Sequence, residues 1–170
     1  MNKTVRVALV ALLCVGAAAC SKKQEVKPQP APVSEPVAQT PPPETSGKFT
    51  PYDLTHNACL MQRVIYFDFD KDAIKPEYQA IIACHAKYLQ DRPMAQMRLE
   101  GNTDERGSKE YNLGLGERRG NAVSSAMQAD GASGSQISVI SYGKERPVCR
   151  EHNEECWSKN RRVNIVYTAE

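Results

Sequence analysis

An acidic run that follows an apolar segment is the first place in this sequence where side chains could do chemistry. Asp68, Asp70 and Asp72 come directly after a β-rich stretch at 64–67. An Asp-x-Asp pair at the end of a strand could transfer a phosphoryl group, with one carboxylate attacking phosphorus and the other handling the proton. The chain is short for such a phosphatase, and a solvated acidic turn is the simpler interpretation. A calcium loop is excluded, because Ala73 stands where that loop requires glycine.

Four cysteines in the C-terminal part of the chain offer either disulfides or metal ligands. They are Cys59, Cys84, Cys149 and Cys156. In an oxidising compartment an even number favours disulfides, with three possible pairings. We favour Cys149 with Cys156, which closes a short loop, and Cys59 with Cys84, which ties the segment before the first strand to the first helix. Each bond would add about 2–4 kcal/mol.

A zinc site is the competing interpretation of part of this set. His56 and His85 stand close in sequence to Cys59 and Cys84, and two imidazoles with two thiolates can bind zinc. An oxidising compartment argues against it, and no metal or cofactor is predicted. The histidines and serines show no triad context, so the sequence offers no candidates for hydrolysis by a serine nucleophile.

The first twenty residues indicate an envelope protein. Lys3 and Arg6 precede an apolar stretch at 7–19, which is too short to span a bilayer as a mature helix. Small residues before Cys20 resemble the lipobox of bacterial lipoproteins, which predicts a signal peptide at 1–19 and lipidation of Cys20. Plain cleavage after an Ala-x-Ala run is the alternative. Ser21 after the cysteine favours sorting to the outer membrane, where acyl chains would hold the protein by about 0.8 kcal/mol per buried CH2.

A linker and one domain are predicted to follow. Residues 20–47 are rich in proline and poor in large apolar residues, which is typical of an extended spacer of roughly 80 Å. Residues 48–170 are long enough to bury a core. The formal net charge of +2 is too balanced to indicate a nucleic-acid partner.

Hydrophobic periodicity within residues 48–170 predicts four strands and two helices. Strand patterns cover 64–67, 97–101, 137–142 and 163–167, while helical patterns run from Pro76 to about 91 and, capped by Ser108, to about 129. The stretch between the last two strands, which carries Cys149 and Cys156, is predicted to be a loop. The order β-α-β-α-β-β predicts an α/β two-layer sandwich, with the helices on one face of a four-stranded sheet.

Five sequence runs resemble OmpA-like C-terminal domains, in unbroken order over about residues 60 to 168. These runs lie at 66–71, 100–107, 111–123, 141–147 and 158–163. The resemblance implies a mixed sheet of strand order 1-4-2-3 whose fourth strand is antiparallel. One departure concerns the second helix, where Gly120 stands in place of the usual alanine and is expected to loosen the helix by about 1 kcal/mol.

The resemblance also implies a ligand, the diaminopimelate side chain of the peptidoglycan stem peptide. The end of this side chain carries an ammonium and a carboxylate. The anionic anchor of the family matches Asp104 and its cationic anchor matches Arg119, whose planar fork suits a carboxylate. Phe69 and Asp70 match positions that line the same pocket. The alternative interpretation is a structural ion pair between Asp104 and Arg119, with Phe69 in the core.

Two further positions are expected beside this pocket, and the resemblance implies partners as well. Asn112 and Leu115 are the neighbours, although Leu115 fits the buried stripe of the second helix equally well. Lipid-anchored members of the family tether the outer membrane to the cell wall and bind a TolB-like periplasmic protein. The implied function is therefore binding without catalysis, with peptidoglycan, a TolB-like protein and the outer membrane as partners.

Overall fold

The computed structural model describes residues 47–170 and contains one mixed sheet. Its strands are β1 (Val64–Tyr66), β2 (Gln96–Asn102), β3 (Ile137–Gly143) and β4 (Arg162–Ala169). They lie in the order β1-β4-β2-β3. Strand β4 runs antiparallel to both of its neighbours, whereas β2 and β3 are parallel. The predicted strand order and direction are therefore confirmed.

Helices precede and connect these strands within the described part of the chain. They are α1 (Asp53–His56), α2 (Ala58–Met61), α3 (Gln79–Asp91), α4 (Lys109–Ala129) and α5 (Glu154–Asn160), with 3-10 turns at Pro76–Tyr78 and Gly134–Gln136. Helices α3 and α4 are the two that were predicted, and the Ser108 side chain caps α4 by accepting a hydrogen bond from the Tyr111 N–H. None of the helices within residues 47–170 is both long and apolar enough to cross a bilayer.

The prediction of a loop between β3 and β4 was wrong in its second half, where α5 forms. Asn153 begins this helix, because its side chain accepts a hydrogen bond from the Cys156 N–H at 2.9 Å. Glu154 and Glu155 follow in the first turn, where negative charge is favourable. These are ordinary start signals, but seven helical residues carry too short a hydrophobic pattern to be recognised from periodicity.

The core lies between the helices and one face of the sheet. Alternate strand residues such as Leu99 and Ile165 are buried there, against residues of α3 and α4 such as Leu89 and Val123. Burying each of these side chains contributes about 1.5–3 kcal/mol. This packing fixes the end of β2 beside the N-terminal half of α4, where the candidate site forms.

Glycines let α4 approach the sheet closely. A Cβ placed on Gly101 of β2 would lie 1.9 Å from the Gly116 carbonyl oxygen of α4, and one on Gly120 would lie 2.5 Å from a methyl carbon of Val139 in β3. Gly120 therefore allows close packing of the helix on the sheet. This role comes in addition to the lower helix stability expected from its propensity. The close approach brings Arg119 within reach of the loop that follows β1 and of the last residue of β2.

Both favoured disulfides are present. Cys59–Cys84 joins α2 to α3 with a Cα–Cα distance of 6.3 Å, and Cys149–Cys156 joins the loop after β3 to the first turn of α5 with a distance of 5.0 Å. The first bond leaves these two cysteines without the thiolates that zinc requires. His85 bonds instead within the core, to the Tyr167 hydroxyl and the Gln62 carbonyl oxygen.

Candidate ligand-binding pocket

A cavity of about 160 Å³ opens where the ends of β1 and β2 meet the N-terminal half of α4. It is lined by Phe69, Asp70, Thr103, Asp104, Arg106, Gly107, Tyr111, Asn112, Leu115, Arg119 and Arg161. All six residues singled out from the sequence lie in this lining. Their common location supports the predicted site, and their role in binding a ligand stays a prediction.

Arg119 is buried beneath the cavity and organises the loop that follows β1. Its Nε and Nη2 donate hydrogen bonds to the carbonyl oxygens of Lys71 at 2.7 Å and Asp68 at 3.0 Å, and its Nη1 donates to the Asn102 carbonyl oxygen at 3.0 Å. These bonds use three of the five N–H groups of a guanidinium. Burial disfavours its positive charge, helped by Arg161, and lowers its pKa to about 10. Arg119 thus remains a cation at neutral pH.

Asp104 is surrounded by arginine donors. Its Oδ1 accepts hydrogen bonds from the Arg106 backbone N–H at 3.1 Å and from Arg106 Nε at 3.2 Å, and its Oδ2 accepts from Arg106 Nη2 at 2.6 Å and Arg161 Nη1 at 3.2 Å. Burial alone would raise the pKa of this carboxyl, but the bonds from Arg106 outweigh it and the pKa is lowered. The ion pairs of Asp104 go to Arg106 and Arg161, so the alternative of a structural pair with Arg119 is wrong.

Arg106, which sequence reasoning missed, lies between two aromatic rings. The central carbon of its guanidinium is 3.9 Å from the centre of the Phe69 ring and 4.2 Å from the centre of the Trp157 ring. A guanidinium over aromatic faces is held by cation–π attraction, worth about 0.5–2 kcal/mol. The sequence signal that could have identified Arg106 as a site residue was its position two residues after Asp104. Trp157 could not be found that way, because α5 itself was not predicted.

The mouth of the pocket is formed by side chains from the β1 loop and α4. Tyr111 donates a hydrogen bond to Asp70 Oδ1, and Asp70 adopts a left-handed backbone with φ of 56°. Phe69 is 54% exposed, so its alternative placement in the core is wrong. Asn112 is buried and donates to the Arg106 and Ser108 carbonyl oxygens at 2.8 and 3.0 Å. Its observed contacts therefore shape the loop before α4.

The two carboxylates of the phosphatase alternative lie in separate clefts. Asp68 pairs with Lys75 at 2.7 Å in a cleft beside α5, and it does not line the cavity that holds Asp70. A nucleophile and its proton carrier must both face the reacting group. This arrangement does not support phosphoryl transfer.

A mixed sheet of this order, with a charged pocket beside its second strand, defines the class of domain. The OmpA family matches this chain over residues 66–161, and the chain belongs to that family.

Within this family, the chain is similar to individual proteins that share one name. The chain is 37% identical over 167 residues to the "Peptidoglycan-associated lipoprotein" of Haemophilus influenzae, an alignment that covers 98% of this chain and 100% of that protein. It is 46% identical over 110 residues to the protein of the same name from Pasteurella multocida, covering 64% of this chain and 73% of the relative.

Solved structures agree with these sequence comparisons. The crystal structure of the peptidoglycan-associated lipoprotein from Burkholderia pseudomallei is similar, with a TM-score of 0.67 and 42% identity, over 68% of this chain and 98% of that one. The C-terminal domain of Helicobacter pylori MotB is similar with a TM-score of 0.58 and 25% identity, over 63% and 84% of the two chains.

Proposed function

We propose that this chain is an outer-membrane lipoprotein whose domain binds peptidoglycan non-covalently and so tethers the membrane to the cell wall. Its relative from Haemophilus influenzae, similar over its full length, carries peptidoglycan association in its name. The observation that carries the proposal is the single cavity lined by both Asp104 and Arg119, which come from separate parts of the chain. The proposed function is binding, without catalysis.

The proposed ligand within peptidoglycan is the diaminopimelate side chain of the stem peptide. Its carboxylate would bind the Arg119 guanidinium, which keeps one N–H on each Nη beyond its described partners. Its ammonium would bind Asp104, with Asp70 nearby at the mouth. A lysine-type stem peptide lacks that carboxylate and would leave the two remaining N–H groups of Arg119 desolvated without an acceptor. The cost of about 1–3 kcal/mol corresponds to weaker binding by about 5- to 150-fold.

The anchor and spacer belong to the same proposal. Cys20 and residues 20–47 lie almost entirely outside the described part of the chain, as does the predicted signal peptide at 1–19. Lipidation at Cys20 would fix one end in the outer membrane, and the proline-rich spacer of roughly 80 Å would let the domain reach the cell wall. Mass spectrometry of the purified protein tests this, since an acylated Cys20 at the new N-terminus is expected.

The proposed protein partner is TolB-like, within a Tol-Pal type system. In lipid-anchored members of the OmpA-like family, TolB competes with peptidoglycan for one face of the domain. A pull-down with TolB from the same cells, repeated with added muropeptide, tests this part. We expect capture that the muropeptide reduces, and an absence of capture would remove the partner while leaving peptidoglycan binding intact.

Calorimetry with two muropeptides tests the ligand. The purified chain should bind a diaminopimelate-containing muropeptide and discriminate against its lysine-type analogue. Arg119→Lys should reduce this discrimination, because a lysine keeps the charge but loses the planar fork.

Arg118→Lys is the matched control. Arg118 is the preceding residue of α4, is exposed and pairs at 3.4 Å with Asp72, which does not line the pocket. The Arg118→Lys substitution should leave the affinity for both muropeptides unchanged. Equal affinity of the wild-type chain for the two muropeptides would refute the proposed ligand.

A further inference from the structure

Two carboxylates and two guanidiniums form a ring beside the pocket, and three of the four residues line it. Arg161 donates hydrogen bonds to both Asp104 and Glu154, the first residue of α5. Arg106 bonds to Asp104, and its Nη2 lies 3.7 Å from Glu154 Oε2. Glu154 therefore holds one arginine already and stands just beyond hydrogen-bond distance from the other.

The hydrogen-bonding capacity of Asp104 is filled. A carboxylate offers about four acceptor positions, and Arg106 with Arg161 supplies four donors. An incoming ammonium must therefore displace a donor from Asp104. Arg161 is the less mobile of the two, because its side chain is 7% exposed and its Nε also donates to the Phe67 carbonyl oxygen at 3.1 Å. The Arg106 side chain is 32% exposed, so it is the one expected to move.

We propose that Glu154 receives the Arg106 guanidinium when the ammonium of the ligand takes its place at Asp104. Glu154 is then a positioning residue for the ammonium end, and the inference rests on the proposed function. A shift of about 1 Å brings Nη2 from 3.7 Å to hydrogen-bond distance of Glu154 Oε2. The guanidinium can slide within the stack of Phe69 and Trp157 without leaving it. Without the Glu154 carboxylate, Arg106 would keep its bond to Asp104 and compete with the ligand.

Glu154 is well placed for this role because both ends of α5 are fixed. The disulfide Cys149–Cys156 ties the first turn to the preceding loop. Asn160, at the other end, accepts hydrogen bonds from the Val148 and Cys149 N–H groups at 2.8 and 3.1 Å and donates to the Cys149 carbonyl oxygen at 2.7 Å. A fixed second partner reduces the entropy lost when Arg106 changes its bond.

The experiment compares two ligands and two variants of the full chain in detergent. The ligands are a diaminopimelate-containing muropeptide and the same muropeptide with the side-chain amine acetylated, each titrated by calorimetry. Glu154→Gln removes the receiving charge at nearly constant shape. Glu155→Gln is the matched control, since Glu155 is the next residue and pairs with Lys159 at 2.9 Å. Trp157 is the only tryptophan in the sequence, so its fluorescence reports on the ring that Arg106 contacts, which also donates a hydrogen bond to Glu105 at 2.8 Å.

We expect Glu154→Gln to weaken binding of the free-amine ligand by about fivefold, as for a partly exposed ion pair, and Glu155→Gln to leave it unchanged. The acetylated ligand should bind both Glu154 forms equally, because it does not displace Arg106. Emission from Trp157 should change with the free-amine ligand and much less with the acetylated one.

Two results would overturn the inference. One is equal affinity of wild type and a folded Glu154→Gln variant for the free-amine ligand. The other, which needs no variant, is Trp157 emission in the wild type that responds identically to both ligands or to neither. If the wild type binds the muropeptide yet shows either result, the proposed function stands and only the role of Glu154 fails. If it binds neither ligand, both fail.

Discussion

His85 should make this domain lose stability as the pH falls. The side chain lies in the core between α3 and the sheet, with no exposed surface. Its Nε2 is 3.0 Å from the Gln62 carbonyl oxygen, which can only accept, so Nε2 carries the proton. Its Nδ1 then accepts from the Tyr167 hydroxyl at 2.8 Å. Both ring nitrogens are thus satisfied in the neutral form, and a second proton on Nδ1 would reverse the bond with the Tyr167 hydroxyl and place a positive charge in the core.

The magnitude follows from the pKa of His85. Burial lowers this pKa from 6.5 to about 4, with the Gln62 hydrogen bond opposing the shift and Arg63 adding to it. Between these two pKa values the unfolded chain binds a proton that the folded chain does not. Stability is therefore complete above about pH 7 and is lost as the pH falls toward 4. One pKa unit corresponds to about 1.4 kcal/mol, so the loss from pH 7.5 to 4.5 is about 2.5 kcal/mol.

Urea unfolding of the wild type and of His85→Gln across this pH range measures the effect. The variant is less stable at pH 7.5, because it loses the fitted hydrogen bonds, but its stability should depend less on pH. The wild type should lose about 2.5 kcal/mol more than the variant on acidification to pH 4.5. Carboxylates that titrate in both chains contribute equally to the pH dependence of their unfolding free energies, so this contribution cancels in the comparison.

His152 provides the matched control. It is exposed, and its hydrogen bond to Glu105 raises its pKa, so its contribution is present at low pH and is lost as the pH rises. The stability of His152→Gln should therefore not show the weaker dependence on acidic pH that is expected for His85→Gln. If His85→Gln and the wild type showed the same loss on acidification, a neutral buried His85 would be refuted.

Two further perturbations test the packing around the site. Gly101→Ala should destabilise the domain by about 3 kcal/mol, because its Cβ would lie 1.9 Å from the Gly116 carbonyl oxygen; thermal unfolding measures this, and near-neutral stability would contradict the close approach of α4. Replacing Cys59 and Cys84 together by serine should lower stability by about 2–4 kcal/mol with unchanged muropeptide affinity, since neither residue lines the pocket. A comparable loss of affinity would show instead that the pocket depends on the α2–α3 link.

The sequence alone determined the larger elements and the position of the pocket. Long periodic patterns and a serine cap defined α3 and α4, since repeated hydrophobic spacing over several turns is a strong local signal. The motif around Asp104 and the one around Arg119 placed both residues at one site through family resemblance, and the structure puts them in the same cavity. An even number of cysteines in an oxidising compartment indicated disulfides but left three pairings open, and the structure contains the pairing that we favoured.

Tertiary structure alone decided how the charges of the pocket are shared. The family resemblance implied that Asp104 and Arg119 bind a ligand, with a structural ion pair between them as the alternative. In the structure, Asp104 bonds to Arg106 and Arg161, while Arg119 holds backbone carbonyl oxygens. The partners of a guanidinium depend on which loops fold over it, and these contacts join residues up to 57 positions apart. The role of α5 likewise emerged only in three dimensions. Its seven residues carry little periodicity, yet they bring Trp157 against Arg106.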